Sequence, residues 1–86
     1  MSEVIDEYEV VEVKQIVEEC NNFNTAMINK MINKLADGYS GWDEAHQQDF
    51  LENRLLEHVE KGFSEPSNLV DIANFCMMLY SMKVSK

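Results

Sequence analysis

The chain is poor in basic side chains. Seven lysines and arginines stand against sixteen aspartates and glutamates, a formal net charge of −9. A phosphate backbone is held by clustered Lys and Arg, so nucleic acid is not expected as a direct ligand. Long hydrophobic runs are missing too. The most apolar stretch, 69–82, is broken by Asp71 and Asn74 and is too short to span a bilayer, so no membrane partner is expected. The opening Met-Ser-Glu-Val lacks the basic and apolar regions of a secretory signal. Cys20 and Cys76 form no C-x-x-C, and both fall in helical patterns, where a free thiol serves as a small core hydrophobe. A reduced, cytoplasmic protein is the expectation. The chain also has no Gly-rich phosphate loop and no Ser, Cys and His arrangement that suggests a nucleophile. His58 has no second His or Cys at ligand spacing, which sets zinc aside. His46 reads as a surface residue at a helix start.

What is present is an ordinary globular balance, with 45% hydrophobic and 27% charged residues in 86 positions. That is one small domain, marginal as a monomer. Residues 1–9 read as a loose acidic N-terminus and 10–86 as a single helical domain. Glu3, Asp6, Glu7, Glu9, Glu12, Glu18 and Glu19 face Lys14 alone. Such a run is a solvated face, or else a mimic of nucleic acid offered to a basic groove on another protein.

The pattern is all-α. Val10, Val13, Ile16, Val17, Cys20, Phe23, Met27, Met31 and Leu35 recur in steps of mostly three and four, a helical period that ends at Asp37-Gly38. The β-branched residues at 10–13 leave a short strand as the alternative there, and Asn21-Asn22 with Asn24-Thr25 marks a possible break. Met-Ile-Asn-Lys occurs twice in tandem, at 27–30 and 31–34. This stacks Met27 on Met31 inward and Lys30 on Lys34 as a two-cation stripe, either solvated or placed to meet phosphates. Trp42, in the loop Gly38-Tyr-Ser-Gly-Trp-Asp, is a lid over the core or a stacking platform for a base. Asp43 is a candidate cap for a second helix over about 44–61 whose stripe is Phe50, Leu51, Leu55, Leu56 and Val59.

Gly62 stops that helix, and Ser64 or Ser67 caps a third with Pro66 in its first turn. The third helix is apolar nearly all round, so it is central or shared across a dimer interface. The short turn makes the last two helices an antiparallel hairpin, completed as a bundle by dimerisation. Glu57 and Glu60 on one arm, and Asp71 and Asn74 on the other, are each spaced three apart. Each pair therefore shares one side of its helix, and in an antiparallel hairpin the two pairs could face each other. A carboxylate in so apolar a helix must be paired, with Arg54 or a lysine for example, or must hold a cation. Three carboxylates together suit Mg²⁺ or Mn²⁺. Without convergence, E-x-x-E is a solvated helix face.

Gly-Trp-Asp at 41–43, Leu-Glu-His-Val-Glu-Lys-Gly at 56–62 and Val-Asp-Ile-Ala-Asn-Phe-Cys-Met-Met-Leu at 70–79 resemble small phage-encoded proteins. Those are in turn similar to the all-α nucleoside triphosphate pyrophosphohydrolases of the MazG type. The resemblance covers roughly 23–82. It implies an E-x-x-E pair on one helix and an E-x-x-D pair on the next, which bind Mg²⁺ and cut a nucleotide to monophosphate and pyrophosphate. Glu57 and Glu60 match the first pair and Asp71 the acid of the second. Lys30, Lys34 and Arg54 would neutralise phosphates and Trp42 would contact the base. The chain departs from the pattern at Asn68, where a glutamate is expected, and at His58, where a second consecutive acid is common. The spacing between the pairs is also short. Asn68 and Asn74 then offer neutral carbonyl ligands in place of the missing acid.

Two functions stand against each other on these residues. One is a homodimeric, Mg²⁺-dependent nucleotide pyrophosphohydrolase or a degenerate relative of one. The other is a non-enzymatic acidic phage protein that binds and inhibits a host protein through residues 3–19.

Overall fold

The computed structural model describes residues 7–84. Helix α1 spans Glu7–Ala36, a 3₁₀ turn spans Ala45–Gln47, and helices α2 and α3 span Gln48–Glu60 and Pro66–Val84. There is no strand among the described residues. The all-α expectation holds, and the strand alternative at 10–13 does not. α1 is also continuous through Asn21, Asn22 and Asn24. Its start lies earlier than expected, so 7–9 are helical rather than loose, and Glu9 suits the positive end of the helix dipole. Residues 1–6 and the last two of the chain lie outside the described residues.

Backbone chemistry sets the helix ends. At the end of α1, Tyr39 N–H donates to the Lys34 carbonyl and Gly38 N–H to the Leu35 carbonyl, both at 3.0 Å, with Gly38 at φ 97°. This is a Schellman closure, and the left-handed residue it needs is the glycine the sequence supplies. α2 closes likewise at Gly62, φ 92°, which donates to the Val59 carbonyl. Two expected side-chain caps are replaced. Glu44, not Asp43, precedes the 3₁₀ turn, and it makes no side-chain cap. The first carbonyl acceptor of α3 belongs to Glu65, which takes the N–H groups of Asn68 and Leu69. Pro66 is thus the first helical residue, where its missing N–H costs nothing, and neither Ser64 nor Ser67 is the cap.

α3 is central. Val70, Asn74, Met78 and Met82 are its buried residues. Met78 and Met82 join Leu51 of α2 in one core cluster, against which Met31, Trp42 and Phe75 pack. Trp42 is therefore a lid over the core, and Met31 points inward as the tandem repeat implies. The inward face of α2 differs from the expected stripe. Leu51 and His58 are buried and Leu55 half-buried, while Phe50 and Leu56 are exposed. Cys20 and Cys76 are both exposed, not core thiols.

The chain does not close on itself. Its radius of gyration is 16.4 Å, against about 12 Å for a compact domain of this length. From Glu9 to Thr25 every residue of α1 is exposed, and only around Met27 to Met31 does the helix meet α3.

Candidate functional site

The turn between α2 and α3 is fastened by Asn68. Its amide Nδ2 donates to the carbonyls of His58 and Gly62, each at 2.7 Å. Those bonds fix which end of the amide is oxygen. Asn68 Oδ1, 2.7 Å from His58 Nδ1, must then accept, so His58 carries its proton on Nδ1. The carbonyl of His58 is near the C-terminus of α2, where carbonyls lack helical partners, and Asn68 satisfies it from the first turn of α3. A glutamate here would have no N–H to give. The amide at this position is thus a structural clasp, and its carbonyl oxygen already accepts from an N–H.

Asp71 faces α1. Its Oδ1 is 2.8 Å from Lys30 Nζ, and its Oδ2 is 3.7 Å from His58 Nδ1. Lys30 Nζ also donates to Ser67 Oγ at 2.6 Å and to the Ser67 carbonyl at 3.0 Å. Three oxygens meet the three donors of one ammonium, so Lys30 is a strut between α1 and the start of α3 rather than a solvated cation. The expectation that Asp71 pairs with a lysine is met by a residue from a different helix.

Glu57 and Glu60 do not converge on Asp71. Both are exposed, and Glu57 accepts from Arg54 one turn earlier on α2. His58 occupies the inward position between them. The three-residue spacing does place Glu57 and Glu60 on one side of α2, but Leu51, Leu55 and His58 determine that it is the outer side. Among the described residues no three His, Cys, Asp or Glu side chains gather where they could hold a metal ion. The donor set of one chain does not fit Mg²⁺ or Mn²⁺. Asp71 is paired with Lys30, Asn68 is held by three hydrogen bonds, and Glu57 and Glu60 are exposed on the outer side of α2. No hydrolytic step is therefore assigned to these residues.

The structure does bring another expected group together. An open groove of about 820 Å³ lies between α1 and the α2–α3 pair. Lys30, Lys34, Arg54 and Trp42, all four of the expected substrate-binding residues, line it, as do Asp71 and Asn74. Its floor is apolar, with Met27, Met31, Phe75 and Met78. Lys34 Nζ sits 5.2 Å from the centre of the Tyr39 ring, and Tyr39 also lines the groove.

Asn74 is the residue that spacing alone undervalued. It is 4% exposed, its Nδ2 donates to the Met27 carbonyl at 3.2 Å, and its Oδ1 is buried with no hydrogen-bond partner among the described residues. An acceptor buried bare costs on the order of 1–3 kcal/mol. The sequence signal was a lone amide in an apolar helix, which read as a neutral metal ligand. Its Nδ2 bond to α1 instead aims the oxygen away from Met27.

Compared with known proteins, the chain matches no family model, no characterised protein and no solved structure. Among the described residues no helix is long and apolar enough to cross a membrane.

Proposed function

We propose that the chain binds a nucleotide in the groove between α1 and the α2–α3 pair, as a homodimeric, MazG-like protein degenerate in its metal chemistry. One observation carries the reading: cations and aromatic rings meet in a single apolar-floored groove. Ligand sites typically combine an apolar lining with a few such polar groups. Trp42 or Tyr39 offers a ring for a base. Arg54 and Lys34 meet phosphate. The exposed Arg54–Glu57 pair is worth little and is readily exchanged for a phosphate contact. Lys30 keeps to Asp71 and shapes the wall.

Trp42 is the single tryptophan, so its fluorescence reports on the groove directly. Nucleoside triphosphates titrated in the presence of a chelator are expected to quench or shift its emission, and Arg54→Ala with Lys34→Ala is expected to weaken the effect at least tenfold. No response to any purine or pyrimidine triphosphate sinks the nucleotide reading. Release of pyrophosphate on adding Mg²⁺ would reverse the word degenerate.

A second reading keeps some support. Glu12, Glu18 and Glu19 are exposed on the free half of α1, beside exposed apolar side chains. Such a surface suits a non-enzymatic protein that binds and inhibits a basic host protein.

A further inference from the structure

The N-terminal half of α1 carries an apolar stripe that the rest of the chain does not cover. Val10, Val13, Ile16, Val17 and Phe23 each keep at least 40% of their surface exposed, and Cys20 is exposed between them. This is the same helix face that packs on α3 further along, through Met27 and Met31. The stripe therefore runs straight out of the core into solvent. Glu12, Glu18 and Glu19 lie off it on the helix surface.

The occupant is indicated by the spacing. From Val10 to Phe23 the steps are three, three, one, three and three, the same read from either end. A two-fold axis through the midpoint, between Ile16 and Val17, sets Val10 against the partner's Phe23. It likewise sets Val13 against the partner's Cys20, and Ile16 against the partner's Val17. An isologous interface requires that kind of self-complementarity, in which residue i meets j and j meets i. The chain also exposes more than a compact monomer does, 6852 Å² against about 5,200 Å² for 10.0 kDa, and the stripe is part of that surface.

We infer that two copies of the chain pair antiparallel through residues 10–23 of α1, with the two-fold axis between Ile16 and Val17. The inference rests on the self-association in the proposed function and not on its nucleotide, so the tests read different signals.

The full-length chain with Cys76→Ser retains Cys20 as its one thiol. It is expected to sediment as a dimer but to form no covalent dimer under diamide, because on this axis the two Cys20 residues are offset by about 10 Å along the helices. Adding Val13→Cys is expected to give a disulfide-linked dimer whose linked peptides join position 13 to position 20. The two positions on one helix are too far apart to bridge within a copy. Val17→Glu is expected to yield a helical monomer with unchanged Trp42 emission. A monomer for the Cys76→Ser chain at micromolar concentration overturns the inference. So does a Cys20–Cys20 link in that chain without Val13→Cys, which would mean parallel pairing. A dimer that survives Val17→Glu overturns it as well.

Discussion

At the scale of single residues, one amide fastens the turn between α2 and α3 as no carboxylate could. Asn68 gives two N–H bonds to carbonyls and takes one from His58, three bonds that no acid could make in that place. Asn68→Ala should therefore cost about 2 kcal/mol, since two carbonyls lose donors in a half-buried turn. In thermal unfolding that is a drop of roughly 8–16 °C. Asn68→Glu should be no better, because it sets a carboxylate against two carbonyl oxygens. Asp71→Asn is a milder change. Its ion pair with Lys30 joins side chains 23% and 27% exposed, so solvent screening holds the loss to about 1 kcal/mol. A double-mutant cycle with Lys30→Met should recover a coupling of that size, and additivity would mean the pair contributes nothing.

At the scale of elements, most of the helices were legible because local chemistry decides them. A run in steps of three and four gave α1, glycine gave its stop, and proline marked the start of α3. Gly38 and Gly62 sit at φ 97° and 92°, and a Cβ at either position meets nothing within 4 Å. Alanine there is strained by backbone conformation alone, at about 1 kcal/mol each. Calorimetry on both variants should show similar losses, and a much larger one would point to a packing role. The faces of the helices were less legible. Hydropathy alone places Phe50, Leu56 and Val59 in the inward stripe of α2. Yet His58 is buried, and Phe50 and Leu56 are exposed. The neighbouring helix, not hydropathy, selects the buried face, and here it selects the one whose polar member Asn68 can bond.

At the scale of the whole molecule, stability and assembly are coupled. A chain that leaves half of its longest helix uncovered gains stability from whatever binds only the folded form. The melting temperature should rise with protein concentration, and Val17→Glu should remove that dependence. Mg²⁺ should leave the melting temperature unchanged, since Asp71 already has a cation partner. A nucleotide at one hundred times its dissociation constant should add about 2.7 kcal/mol. A rise with Mg²⁺ that Asp71→Asn abolishes would mean that the carboxylates do gather, and would restore the metal reading.

The sequence by itself determined that the chain is helical, where its helices stop, and that Asp71 needed a partner. These follow from interactions within a few residues, and from the cost of burying a charge wherever it lies. Only the tertiary structure decided which partner Asp71 takes. Lys30 is distant in sequence, and the crossing of α1 over α3 brings it there. The same crossing gathers Lys34, Arg54, Trp42 and Asn74 around one groove. The packing of α2 through Leu51, Leu55 and His58 keeps Glu57 and Glu60 outward, away from Asp71. Spacing fixes which residues share a face of one helix, but the packing of helices fixes what that face meets.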